Sequence, residues 1–257
     1  MIKTMYYLTM SKVTKNKLEV FMKNVLVYDL PQRIFHWLFV GLFLTSFIIG
    51  KTVDDESITY GYHMISGILM TILVILRIFW GFVGPKHSRF SQMPLGFTNL
   101  KKYFVNYFNK DSKFFSGHNP ASAHASLFMY LFALTLGLSG YFMVTFYKKH
   151  FFEEIHEMAA HLFLIVVIFH VGGVILHTIK KNDFIALSMI SGKKKNIDEN
   201  EAINSPSYIS GIVLIAIFVG FASMFVKNYN TSTGELSVFT KKYSLVPTSR
   251  NYDIYDV

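Results

Sequence analysis

The apolar positions of this chain fall in long unbroken blocks rather than in alternation. Five blocks stand out: Ile34–Gly50, Tyr62–Val83, Ala123–Tyr147, Ile155–Ile179 and Ile209–Val226, each of 17–25 residues. At roughly 1.5 Å per helical residue, each is long enough to span about 30 Å of hydrocarbon. The pattern predicts five transmembrane helices and an all-α integral membrane protein. Between them, "KTVDDESITY" (51–60) is a short acidic connection and "YKKHFFEEI" (147–155) a tight turn. The segment 84–122 is longer. Within it Leu100, Tyr103, Phe104, Tyr107 and Phe108 recur at i, i+3, i+4, i+7 and i+8, with Lys101, Lys102 and Asn106 off the stripe. That spacing predicts an amphipathic helix on the membrane surface. In "KKNDFIALSMISGKKK", Asn182 or Asp183 is expected to start a short helix and Gly192 to end it. Ile209–Val226 has no ionisable residue and reads as an anchor, and there is no internal repeat.

Charge adds orientation. The net charge of +9 is compatible with nucleic acid, but its placement points to a membrane. Residues 1–33, 84–122 and 180–208 hold seventeen Lys and Arg, against seven in the segments on the other side. This is the positive-inside pattern of an inner-membrane protein with a cytoplasmic N-terminus. Five crossings then put the tail 228–257 in the periplasm. No cleavable signal peptide is evident, and "KNVLVYDLPQRIFHW" after Met22 would also make a normal start. The chain has no cysteine. Disulfides, cysteine-ligated iron–sulfur clusters and covalent c-type haem are therefore excluded, and any metal must rest on His or carboxylate ligands.

The fourth block, "EEIHEMAAHLFLIVVIFHVGGVILH", carries His156, His161, His170 and His177. Ionisable groups in hydrocarbon are costly and usually functional. His156 and His170 are fourteen positions apart. At about 100° per residue that is some 40° short of four turns, with a rise of about 21 Å, so both rings leave one face at two depths. Two macrocycles stacked across a bilayer need that arrangement. His63, at the outer start of the second block, is level with His156. His36, near the inner start of the first, faces either His170 or His177, which spacing leaves open. A bis-imidazole haem iron has no open position and suits electron transfer. Arg77, fourteen residues after His63, and Arg33, one turn before His36, are candidate propionate partners. Gly67, Gly137, Gly140, Gly172 and Gly173 would admit a macrocycle or a close helix. His161, about 140° around from His156, and His124 read as packing or hydrogen-bonding residues with a lesser claim to a quinone site. His87, His118 and His150 read as loop residues, and Glu157 as a surface carboxylate that could handle protons.

The stretches "VYDLPQRIFHW", "YHMISGILMTILVILRIFWGFVGPKHSRF", "GHNPASA", "IHEMAAHLFLIVVIFH" and "FIALSMISGKK" run in order over about residues 25–195. In these the chain resembles the bacterial cytochrome b561 family, close to the b-type cytochrome subunits of nickel–iron hydrogenases. The resemblance implies a four-helix transmembrane bundle holding two non-covalent b haems, with His36, His63, His156 and His170 as axial ligands. It thereby favours His170 over His177, and places His177 near the inner haem edge or a quinone. It divides the chain into a cytoplasmic extension (1–24), the di-haem domain (25–195), a linker and extra C-terminal transmembrane helix (196–227) and a periplasmic tail (228–257). The expected role is an electron-transfer subunit of a quinone-linked oxidoreductase in a respiratory chain. Its partners would be quinone and a hydrogenase, dehydrogenase or cytochrome c, with a homodimer allowed. Two rival readings are a transition-metal transporter using the histidines as a relay, and a non-redox anchor in which they only pack.

Overall fold

The computed structural model describes residues 24–107, 115–145, 149–181, 184–195 and 197–246. The expectations for Met22, Phe108, Asn182 and Asp183 lie outside them. Five helices are long and apolar enough to cross a membrane, and the chain is a multi-pass membrane protein. The transmembrane helices are α1 (Leu30–Thr52), α2 (Gly61–Val83), α4 (Pro120–Thr145), α5 (Lys149–Lys181) and α7 (Tyr208–Asn228). Two shorter helices are α3 (Phe97–Tyr107) and α6 (Ser188–Ser191). The apolar blocks mark the centres of the spans and miss their polar ends. α1 starts four residues before its block because Asp29 caps it, accepting the Gln32 N–H, with proline in the first turn. α4 starts early for the same reason, the Asn119 carboxamide accepting the Ser122 N–H at 2.8 Å.

The packing order is α1 on α2, α2 on α4, and α4 on α5, with α7 laid against α1 and α2. The bundle core is formed by Phe35 and Phe39 of α1, Met70, Leu73 and Val74 of α2, Tyr130 and Ala133 of α4, and Phe163 of α5. α2 and α4 approach so closely that a methyl group at Gly137 would overlap the Thr71 hydroxyl. Here the small residue serves helix packing. α5 is different. It runs along α4, but of its described side chains only Ala159 and Phe163 are buried. Its contact with α1 is aromatic, Phe163 lying 5.9 Å from Phe39 and 5.0 Å from Phe43 between ring centroids.

The basic end of the bundle, where α1 begins, is laced together by connecting segments. Strands β1 (Val25–Leu26) and β2 (Lys193–Lys194) pair antiparallel. The Leu30 N–H donates to the Pro206 carbonyl at 2.8 Å and the Ile203 N–H to Leu26 at 2.9 Å, which ties the approach to α7 onto the start of α1. Lys194 donates to the carbonyls of Phe115 and Gly117. Gly192 ends α6 as expected, in the left-handed region at φ 77°. On α3, Leu100, Tyr103 and Tyr107 of the expected stripe are half-buried, while Phe104 of that stripe is exposed, as are Phe97 and Val105.

The opposite end departs from the all-helical expectation. Residues after α7 form a three-stranded antiparallel sheet of β3 (Tyr229–Asn230), β4 (Glu235–Val238) and β5 (Lys241–Ser244). Leu236 and Leu245 pack on Ile65, Leu69 and Phe225, and the Tyr229 hydroxyl donates to the Ile58 carbonyl at 2.6 Å. The tail is thus docked on the loop that leads into α2. A bulky residue at Gly137 should separate α2 from α4: Gly137→Leu is expected to lower stability by roughly 1–3 kcal/mol, read as a reduced Tm in detergent. An unchanged Tm would refute the close contact.

Candidate functional site

The first pair of histidines meets near the end opposite the basic one. His63 of α2 and His156 of α5 lie with ring centroids 6.2 Å apart, edge to face. Each ring has its Nδ1 engaged by a neighbouring serine. His63 Nδ1 pairs with the Ser46 carbonyl of α1 at 2.8 Å, which makes it the N–H donor. His156 Nδ1 lies 3.0 Å from the Ser139 hydroxyl of α4. Ser46 is itself 2.6 Å from the Ser66 hydroxyl. Fixing the Nδ1 side this way orients a ring and leaves Nε2 as its ligating nitrogen.

A second level lies toward the basic end. His36 of α1 and His170 of α5 are both half-buried and near enough to interact electrostatically. Phe163 sits seven residues from both His156 and His170, on their shared face, so its ring with Phe39 and Phe43 forms a wall between the two levels. His177 is half-buried one heptad beyond His170.

Arg77 is the most unusual side chain at this end. It is 2% exposed, with Phe35, Phe90 and Tyr130 rings 5.4–5.9 Å from its guanidinium carbon. Nη2 donates to the Ser88 carbonyl at 3.1 Å, while Nε and Nη1 find no hydrogen-bond partner. Buried donors without acceptors are costly, and their presence argues for an acceptor still to come. Arg33 is differently placed. Its guanidinium donates to the carbonyls of Asp29 (3.3 Å) and Ile190 (2.5 Å), fastening α6 to α1. His161 is exposed and hydrogen-bonded to the Glu157 carbonyl of its own helix, and His124 likewise to Pro120.

The model of the prokaryotic cytochrome b561 family matches residues 27–192, most of the chain. The chain belongs to this family. Relatives include the probable Ni/Fe-hydrogenase B-type cytochrome subunits of Rhodobacter capsulatus, 30% identical over 48% of this chain and 53% of that one, and of Rhizobium leguminosarum bv. viciae, 24% identical over 67% of this chain and 89% of that one. The subunit of Escherichia coli K12 is 38% identical over 24% of this chain and 33% of its own. The match thus spans about half the length of the Rhodobacter relative. No solved structure matches the chain.

Membership makes this a membrane cytochrome b of electron transfer, and implies haem b. The residues present fit that group. Arg77 offers two unpaired N–H groups of the kind a propionate accepts. A Cβ at Gly67, one turn past His63, or at Gly172, beside His170, would meet nothing within 4 Å, which leaves room for a flat ring. Among the described residues no three His, Cys, Asp or Glu gather to hold a bare metal ion. A haem iron asks only two such ligands of the protein.

At the basic end Asp29 and Glu201 went unremarked in the sequence, and His87 and His118 were read only as loop residues. Asp29 is fully buried, accepting the Gln32 N–H at 3.0 Å and the Trp80 indole N–H at 2.8 Å. His87 is a loop residue but a buried one, its Nε2 donating to the Glu201 carbonyl at 2.7 Å. Burial, reinforced by Arg77 and Lys194, lowers the His118 imidazole to about 3 and keeps it neutral. Glu201 accepts from Lys86 and from the Ser116 hydroxyl, each at 3.0 Å, and Lys86 above all holds its carboxyl below the usual range. A lowered folded value means that the Glu201 contacts stabilise above the unfolded pKa, about 4.5, and fade as pH falls through the folded one. Acidification from pH 7 toward about 3 should therefore loosen residues 197–207, seen as lower amide protection factors there once the intrinsic pH dependence of exchange is divided out. Glu201→Gln should show the lowered protection already at neutral pH, and wild-type protection factors unchanged with pH would refute it.

Proposed function

We propose that the chain is a di-haem cytochrome b of the bacterial inner membrane that passes electrons between the quinone pool and a partner redox protein. Two non-covalent b haems would be held by His63 with His156 and by His36 with His170. The observation that carries this reading is the contact of His63 with His156, with His36 and His170 half-buried on the same two-level plan supporting it. At one level both Nδ1 atoms are engaged by serines, and the shared helix α5 is otherwise little buried. Bound haem supplies one-electron redox chemistry at each level. The chain's own residues do the rest. Ser46 and Ser139 orient the ligand rings, and their hydrogen bonds tune ligand basicity. Arg77 receives a propionate, with Arg33 as a lesser candidate because its guanidinium already serves two carbonyls. Phe163 keeps water and lipid out of the space between the levels. His177 stands where a quinone could approach the haem nearest the basic end.

The relatives named as hydrogenase subunits make a hydrogenase the leading partner, ahead of a dehydrogenase or cytochrome c. The charge asymmetry supports a cytoplasmic basic end, with the sheet at 229–244 in the periplasm. The segment 25–195 would be the di-haem domain, and 196–257 an appendage that clamps α1 and α2 at both faces. In visible spectra of purified full-length protein, His156→Ala and His170→Ala should each remove about half of the b-type haem, by loss of an axial ligand. Each should remove a different half, and His177→Ala should remove neither. Full haem content in either ligand variant would reject the pairing.

A further inference from the structure

Asp29 is the buried ionisable group that haem ligation leaves without a task. It is fully buried, seven residues before His36. Capping α1 accounts for one carboxylate oxygen, which accepts the Gln32 N–H. Serine or asparagine would cap as well without bringing a charge into the protein. The second oxygen accepts the Trp80 indole N–H, from the last turn of α2. From there a network runs on. The Gln32 side-chain carbonyl accepts the Ser88 hydroxyl at 2.7 Å, and the Ser88 carbonyl accepts Arg77. The carboxyl is therefore joined, through Gln32 and Ser88, to the guanidinium that carries the unpaired donors of the basic-end haem site.

The groups facing Asp29 are few. From α2 come Arg77, the charged side chain whose field reaches the carboxyl, and neutral Trp80. From the loop after α2 comes neutral Ser88, and from α1 itself neutral Gln32. Arg33 meets only the backbone carbonyl of Asp29. Burial raises the carboxyl above its ordinary value, against the opposing effect of the Gln32, Trp80, Ser88 and Arg77 contacts. His87, the residue before Ser88, lines a cavity of about 170 Å³ with Lys86, Ser116, His118 and Glu201, large enough for several waters.

We propose that Asp29 is the proton-binding site coupled to reduction of the basic-end haem. The proposal rests on the assignment of His36 and His170 to that haem. One electron arrives from quinol or from the partner redox protein. One proton, in the end from bulk solvent, converts the Asp29 carboxylate to the carboxylic acid, and reoxidation releases both. The net charge of the buried site stays constant, which avoids placing an uncompensated charge in a low-dielectric interior.

Potentiometric titration of the full-length protein, followed at each haem's visible band between about pH 5 and 9, tests this. The haem that His170→Ala removes should have a midpoint that falls with pH in wild type, one proton per electron over part of the range. Asp29→Asn keeps the cap but cannot take the proton. Its midpoint should be independent of pH and should lie above the wild-type value at the alkaline end. The other haem should not respond. A slope retained in Asp29→Asn, or a flat wild-type profile, overturns the proposal. If Asp29→Asn fails to hold the haem, Trp80→Phe decides. Deleting the indole donor disfavours the carboxylate and should move the sloping region to higher pH, and an unmoved region overturns the proposal. A wild-type protein with only one haem would overturn the ligand assignment instead, and haem content tells the two failures apart.

Discussion

An imidazole in hydrocarbon must have both of its nitrogens answered, and the architecture follows from how that is done. At one level of the bundle, α1 lends the backbone carbonyl of Ser46 and α4 the hydroxyl of Ser139 to the Nδ1 of a histidine on the neighbouring helix. The rings are then fixed in orientation, with their centroids 6.2 Å apart between α2 and α5. This explains why α5, which carries a histidine at each level, buries so little else. Its fixed points are the long contact with α4 and the single aromatic bridge of Phe163 to α1. A helix that packed tightly on α1 and α2 would leave no room for a flat ring between them.

The basic end meets a harder problem, since it buries a cation and an acid. Arg77 lies among three aromatic rings with one hydrogen bond to a carbonyl, and Asp29 is held by an amide and an indole. Buried charges persist where they are paired or hydrogen-bonded. The shared network through Gln32 and Ser88 keeps both in one electrostatic unit. The segment leading to α7 closes over this unit, through Glu201 on Lys86 and His87 and through Pro206 on Leu30. The fifth helix therefore does more than anchor the chain. It seals the basic end, and its sheet caps the loop before His63 at the other.

Much of this was legible in the sequence. The spans could be read because hydrocarbon demands long apolar runs, and the two levels because fourteen helical steps return nearly to one face. The same arithmetic placed Arg77 toward the end occupied by His36. It also holds for Phe163, midway between His156 and His170, but one phenylalanine among 26 gives no signal of its own. At Ser46 the partner of His63 is a backbone carbonyl, which any residue carries, and Ser139 was hidden for another reason. Serines in membrane helices commonly bond back to their own backbone, as Ser139 also does to Thr135, so nothing local shows a second partner. Asp29 gave no signal in the sequence, because Trp80 approaches it from fifty-one residues away. The terminal sheet escaped because its strands are two to four residues long, too short for alternation to register.

The central claim is that two histidine pairs at two depths hold two haems in one chain. Haem-to-protein stoichiometry of the purified full-length protein, from its pyridine haemochrome spectrum and protein mass, tests this most directly. Two b-type haems per chain, both low-spin, are expected; one haem or none would refute the two histidine pairs.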